Sequence, residues 1–309
     1  MRVCGVVLWC NAACVCYGYT VPGLLAGLVD QKRREVERFR LLPEAREDGS
    51  WTLRLAYPAP SASFAIARAL GWRAESFKII PDLKRTSPGK MLGDVKIVTQ
   101  TLVPAAEIDR AREQGACAAL VCIDKASYGG SASDLEEACR RTREAAVETG
   151  QLFPIIAKDL IIDPLQIARA AVLGAHAVLL VVAAAPDELP GLLDACTVMG
   201  IEALVEVHTS DELQLAIECG ASLILVNERD RARAVVMSGQ AASLATLLPP
   251  DVTCLACGGI NSIEQVRTLR RRGFDGAVLG RAWQGPNGKH LVEQIMREEF
   301  PPQRIAEII

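Results

Sequence analysis

The chain has 309 residues, half of them hydrophobic, with 34 Lys and Arg against 37 Asp and Glu, a formal charge of −3 and a pI near 5.8. That balance lacks the basic field of a nucleic-acid binder, and 5% aromatic residues provide too little surface for base stacking. No apolar run reaches the length of a membrane-spanning helix, while the apolar half suffices for one domain of about 250 residues.

Residues 1–22 stand apart. Arg2 precedes an apolar, Cys-rich run from Val3 to Tyr19, and composition changes across Gly18 to Gly23. The segment reads as a leader of signal or organelle-targeting type, or as an unstructured extension; with one positive charge it lacks the make-up of a transit peptide. The expected compartment is the cytoplasm, or a plastid or other organelle if the leader is a targeting segment. Residues 23–309 are expected to form a single domain. It begins with a helix whose stripe of Leu24, Leu25, Leu28, Val29, Val36 and Phe39 packs on the remainder, with Lys32, Arg33, Arg34 and Glu35 on the other, polar face.

Eight apolar runs follow: Ile79 to Leu83, Ala118 to Ile123, Pro154 to Ala157, Ala177 to Val182, Ala203 to Val207, Leu223 to Val226, Thr253 to Cys257 and Ala277 to Leu279. Most are short and show little alternation, as strands buried on both faces of a parallel sheet do. Helical spacing fills the intervals at Ala105 to Gln114, Ser133 to Thr149, Pro164 to Leu173, Asp187 to Met199, Ser210 to Cys219 and Ile263 to Arg272. Four of these helices close on glycine, at Gly115, Gly174, Gly220 and Gly273, just before the next strand. The alternation calls for βαβ units. An open doubly wound sheet gives the same local pattern, but eight units without one Gly-rich dinucleotide turn favour closure. The expected fold class is α/β, a (β/α)8 TIM barrel with an N-terminal helical extension.

Of 11 cysteines, four crowd into residues 1–22, and the others read as buried free thiols. Cys254-Leu255-Ala256-Cys257 has CxxC spacing, yet it lies in an apolar strand without a second pair, so no metal is expected. His176 and His290 read as structural. Only His208, two residues past Glu206, falls near a strand end.

In a closed parallel barrel the active site gathers at the carboxyl ends of the strands, and seven of the eight runs end in a polar, charged or glycine residue. Lys84, Lys158, Glu206 and Asn227 are among them, which makes an enzyme the leading reading. Asp82-Leu83-Lys84-Arg85-Thr86-Ser87-Pro88-Gly89-Lys90 places cations and two hydroxyls before a Pro-Gly breaker, the pattern of a mobile loop over an anionic substrate. Asp82 and Lys84 are two residues apart and share one face of a strand. A lysine that is desolvated or set beside other cations loses pKa and becomes an acid near neutrality; Lys158 is the second candidate, with Glu206 opposing it. A structural ion network is the alternative. Gly258-Gly259-Ile260-Asn261-Ser262, with Ser262 as a helix cap, and Gly280-Arg281 compose an anion cradle, or serve as plain turns.

Four segments carry a family resemblance in order and spacing: Asp82 to Pro88, Lys158 to Ile167, Leu204 to His208 and Asn227 to Asp230. The chain resembles the indole-3-glycerol phosphate synthases from about Leu24 to its end, including Lys32 to Val36 of an N-terminal helix. The resemblance implies a (β/α)8 lyase of tryptophan biosynthesis that converts 1-(2-carboxyphenylamino)-1-deoxyribulose 5-phosphate into indole-3-glycerol phosphate, CO2 and water. It implies no cofactor, a phosphorylated small molecule as partner, and a monomer or an association with other enzymes of that pathway. Lys158 would be the general acid, with Lys84 holding the carboxylate or phosphate, Asp82 beside both, Glu206 assisting loss of the hydroxyl and Asn227 positioning it. Ser87, Gly259 and Gly280 would take the phosphate end, while Tyr128 would pack on the anthranilate ring and Arg229 would bind substrate; Gly258 and Arg281 are substrate-binding candidates from the anion cradle read above. The chain departs from the family pattern with Asp82 in place of Glu, Cys257-Gly258-Gly259 in place of Glu-Ser-Gly, Leu160 and Leu165 in place of aromatics, Glu228 in place of Asn or Ser, and Arg281 in place of a small residue. A divergent paralogue, non-catalytic or of shifted specificity, is the alternative function.

Overall fold

The computed structural model of the protein describes residues 23–46, 48–56, 64–71, 76–88, 95–230, 235–236 and 239–300. The leader of residues 1–22 and the Gly89-Lys90 end of the loop after the first strand lie outside the described residues. Eight strands follow the apolar runs to within one residue: β1 Lys78–Leu83, β2 Ala119–Cys122, β3 Ile155–Lys158, β4 Ala177–Val181, β5 Glu202–Val207, β6 Leu223–Asn227, β7 Thr253–Cys257 and β8 Gly276–Leu279. They pair in parallel in the order β1-β8-β7-β6-β5-β4-β3-β2, and β2 returns to β1 through Asp82 opposite Leu120. The sheet is closed, which removes the open doubly wound alternative.

The helices in chain order are α1 Gly23–Phe39, α2 Ser50–Ala56, α3 Ala65–Leu70, α4 Pro104–Glu113, α5 Lys125–Tyr128, α6 Ala132–Thr149, α7 Pro164–Val172, α8 Leu189–Met199, α9 Ser210–Glu218, α10 Gln240–Leu244, α11 Ile263–Arg271, α12 Arg281–Gln284 and α13 Gly288–Arg297. Each strand points alternate side chains into the barrel and out beneath the helices, because the strand period is two. Ile80, Leu120, Ile156, Leu179, Leu204, Leu225, Leu255 and Val278 fill the interior, one from each strand. Ile79, Val121, Ile155, Val178, Val205, Ile224, Cys254 and Ala277 belong to the outer layer. Truncating one of the interior leucines to Ala costs about 2–5 kcal/mol. The same alternation disposes of the CxxC spacing, since Cys254 belongs to the outer layer and Cys257 to the inner one.

Both ends of the barrel are covered. At the base, Ile66 and Leu70 of α3 enter the interior cluster, and Glu202 at the start of β5 accepts the amides of Ile66 at 2.6 Å and Ala67 at 3.0 Å. At the mouth, Leu25 and Val29 of α1 join the interior cluster beside Leu160, Val181 and Ala183. The expected apolar stripe of α1 does pack on the barrel, but its polar face is corrected: Lys32 is buried, 2% exposed, among carboxylates of the mouth. In the loop after β1, Thr86–Pro88 pairs antiparallel with Val95–Ile97, so its described ends leave the barrel as a two-stranded ribbon.

Candidate active site

Strand β1 brings Asp82 to the mouth and Lys84 follows one residue past its end, while β3 closes on Lys158. The expected same-face pairing of Asp82 with Lys84 is present: Lys84 Nζ donates to Asp82 Oδ2, and Lys158 Nζ donates to the same oxygen at 2.9 Å. Burial opposes the charge on Asp82, yet the two ammonium groups outweigh it and hold that carboxyl well below the usual carboxylate range. At Lys158 burial pulls downward, and Asp82, with Cys122, Tyr128 and Glu206, more than offsets it, so the ammonium is held above the ordinary lysine value. The expectation of a lowered lysine is therefore reversed. A carboxylate across the barrel decides the sign, and nothing within β3 itself reveals it.

Tyr128 ends α5, whose cap Asp124 accepts the amide of Ser127 at 2.6 Å. Its ring centroid lies 5.2 Å from Lys158 Nζ and 5.9 Å from Lys84 Nζ, so both cations face the aromatic ring. Arg85, counted with Lys84 as a loop cation, turns away. It forms a fork with Asp134 at 2.7 and 2.8 Å and donates to the carbonyls of Gly129 and Leu102, bracing the turn after Tyr128.

Opposite the lysines, Asn227 ends β6. Its Nδ2 donates to Glu206 Oε1 at 2.9 Å and its Oδ1 accepts the amide of Arg229 at 2.9 Å. Glu206 is 1% exposed and stands behind Asn227, not on the cavity wall. Its further neighbour is His208, with Nε2 3.2 Å from Glu206 Oε1 and Nδ1 3.1 Å from Glu212 Oε2. Burial lowers this imidazole, but Glu206 and Glu212 outweigh burial and lift it to about 9. His176 is structural as expected, its Nδ1 accepting the amide of Ile155 at 3.1 Å. His290 is corrected: it lies exposed on α13.

The loop after β7 turns through two left-handed glycines, Gly258 at φ +94° and Gly259 at φ +75°. A side chain at Gly258 would stand 2.8 Å from the amide nitrogen of Arg229 and 3.0 Å from Asn227 Oδ1, so the loop lies directly on the β6 end. Ser262 caps α11 as expected, in a capping box with Gln265. Gln265 Oε1 accepts the amides of Asn261 at 2.8 Å and Ser262 at 3.1 Å, which assigns those two donors to the cap and not to an anion. Gly280, after β8, abuts the lysines: a Cβ there would meet Lys84 Nζ at 3.1 Å and Asp82 Oδ2 at 3.3 Å.

These groups enclose one cavity of about 400 Å³. Asp82, Lys84, Ser87, Tyr128, Lys158, Asn227, Arg229, Gly258, Gly259, Gly280 and Arg281 all line it, with Glu206 one hydrogen bond behind. Sequence reasoning missed the apolar part of the wall, made by Leu24 and Leu28 of α1 with Leu225, Ile260 and Val278. The inner-face position of Leu225 and Val278 on their strands was the available signal. Chemically, the cavity pairs two cations and an aromatic ring on one side with the Asn227 amide, backed by a buried carboxylate, and a glycine loop on the other. It suits a small molecule with an anionic end, a polar chain and an apolar ring.

The chain matches the family model described as "Indole-3-glycerol phosphate synthase" over residues 25–294. The indole-3-glycerol phosphate synthase of Chlorobium phaeovibrioides is 33% identical over 262 residues, 84% of this chain and 94% of its own length. That of Roseiflexus sp. is 35% identical over 263 residues, 84% and 92% of the two chains. Among solved structures, thiamine phosphate pyrophosphorylase from Pyrococcus furiosus superposes with a TM-score of 0.51 at 16% identity, covering 74% of this chain and 96% of its own, a likeness of fold alone.

Proposed function

This chain belongs to the indole-3-glycerol phosphate synthase family, and on that premise we propose how its own residues carry out the family's ring closure. The substrate is a phosphorylated small molecule, and the protein is a carboxy-lyase of tryptophan biosynthesis. The observation that carries the assignment of roles is the pair of ammonium groups, Lys158 buried and Lys84 partly so, on one carboxylate, facing Asn227 across a cavity of substrate size.

The anthranilate ring of 1-(2-carboxyphenylamino)-1-deoxyribulose 5-phosphate lies against Leu24, Leu28 and Tyr128, and the phosphate takes the Gly258-Gly259 loop, Gly280, Ser87 and Arg281. Lys158 donates to the ketone oxygen as the ring carbon attacks the ketone carbon. The new C–C bond forms while the oxygen gains a proton and becomes a hydroxyl. An ammonium already held charged by Asp82 neutralises that oxygen without reorganisation. Lys84 holds the substrate carboxylate, whose C–C bond then breaks, releasing CO2 and returning the electron pair to the ring. Asn227, fixed by Glu206 and by the Arg229 amide, orients the hydroxyl. That oxygen takes a proton from the Lys84 ammonium and leaves as water as its C–O bond breaks, while the adjacent methylene gives a proton back to the neutral amine of Lys158 and its C–H electron pair becomes the C=C bond of the indole. Solvent then returns the proton to Lys84. Glu206 acts through Asn227, and Arg229 adds a cation to the chain-binding side. We also assign residues 23–309 to one domain and propose the cytoplasm as its compartment. Independently of compartment, no helix among the described residues is long and apolar enough to cross a membrane.

The purified chain, given this substrate, should yield the indole product by its fluorescence, and Lys158→Met should lower turnover by about 10²-fold or more. Absence of product at saturating substrate rejects the reading. Wild-type rates in Lys158→Met reject the role of Lys158.

A further inference from the structure

Lys32 takes no part in the chemistry just described, yet its ammonium is 2.7 Å from Asp159 Oδ1, 2.8 Å from Asp124 Oδ2 and 2.7 Å from Glu35 Oε2. Burial lowers its pKa, but the three carboxylates prevail and hold it charged. A buried ion cluster is a weak source of stability, because desolvation offsets the attraction; its best-attested use is to fix one register of packing. Here the register is that of α1 over the mouth. Leu24, Leu28 and Lys32 are spaced by four and share one face of the helix, and the two leucines line the cavity.

The partners of Lys32 lead to the reacting groups. Asp124 caps α5 through Ser127, and Tyr128 follows directly. Asp159 succeeds Lys158 in the chain and accepts the amide of Leu160 at 2.8 Å. One cation thus joins three parts of the site: the apolar wall, the aromatic ring and the end of β3. We propose that Lys32 is a positioning residue for the reaction, locking α1 as a wall of the substrate cavity and holding Tyr128 and Lys158 in register with that wall. The proposal rests on the mouth being the substrate site.

The test uses the full chain with Lys32→Met, Lys32→Arg, Leu28→Ala and the Lys32→Met, Leu28→Ala double variant. Each is assayed for kcat and KM and titrated with a substrate form whose ketone is reduced to an alcohol, which binds without closing the ring. Lys32→Met is expected to raise KM and the Kd of that ligand about tenfold or more, with Lys32→Arg restoring part of the loss. Leu28→Ala should raise KM several-fold alone and less than about twofold in the Lys32→Met background, because the wall is already displaced. Amide exchange in α1 should accelerate while that of the barrel strands stays unchanged. Should Lys32→Met not fold, Asp124→Asn leaves the cation two partners and should raise KM several-fold. Independent, multiplicative effects of Lys32→Met and Leu28→Ala, or lost stability with KM unchanged, overturn the proposal. A wild-type chain that neither binds the ligand nor turns over substrate sinks the site assignment instead; α1 exchange in Lys32→Met then still decides whether Lys32 locks the helix.

Discussion

Asp82→Asn removes the carboxylate that Lys84 and Lys158 share while keeping its size. Lys158 is buried, 8% exposed, and burial already opposes its charge, so without Asp82 its pKa falls below the ordinary 10.5 instead of lying above it. Breaking a buried pair by removing one partner costs about 3–5 kcal/mol, since two ammonium groups stay behind in one enclosure. At roughly 2 °C per kcal/mol for a chain of this size, Tm drops by roughly 6–10 °C. The sign of the pH dependence follows from both partners. Asp82, depressed in the fold, contributes stability present above its ordinary 3.8 and lost as pH falls through its folded value. Lys158, raised in the fold, contributes stability present below 10.5 and lost as pH rises through its folded value. The deficit of Asp82→Asn is therefore fullest between about pH 4 and about pH 10. In the assay, kcat/KM falls by about 10²-fold or more and its alkaline limb moves to lower pH, because the weakened ammonium loses its proton sooner. A variant with kcat/KM within about threefold of wild type and an unmoved alkaline limb would refute the idea that Asp82 sets the charge of the acid.

His208 lies between Glu206 and Glu212, and its rise from 6.5 to about 9 is worth roughly 3 kcal/mol. Since the folded value is the higher one, this contribution is complete below about pH 6.5 and disappears as pH climbs through about 9. Urea denaturation of His208→Gln beside wild type should show a gap that narrows over that window, and a gap independent of pH would show that no proton is held there. For Gly258→Ala, a φ of +94° and a Cβ 2.8 Å from the Arg229 nitrogen allow little relief, because the nearest obstructing atom belongs to backbone. Thermal melting should register a loss of about 1–3 kcal/mol, and KM should rise as Asn227 and Arg229 are pushed aside; a variant normal in both measurements would remove Gly258 from the substrate wall.

Much of the barrel was legible because parallel strands are buried on both faces, so each run is apolar throughout and stops where the chain meets the mouth. Lys158 and Asn227 proved to be the last residues of β3 and β6 for that reason. Asp82 and Lys84 were legible as a pair because the two-residue strand period is local. Lys32 was misplaced on a polar face although its spacing from Leu24 and Leu28 was visible. Charge argued for solvent, and its partners Asp124 and Asp159 lie 92 and 127 residues away. The direction of the Lys158 shift was missed because its governing neighbour is 76 residues upstream. Glu206 was legible as a mouth carboxylate, but its retreat behind Asn227 depends on the neighbouring strand.

The amino-acid order alone settled the eight strands, six of the helices that follow them, and which polar residues would stand at the carboxyl ends of the strands. These are short-range matters of period, capping and turn chemistry. Which charges share an oxygen, which lysine is shut away from water and which helix forms the apolar wall were decided only when the barrel closed. Electrostatic and cavity energies depend on separation in space, and residues distant along the chain become neighbours only through closure.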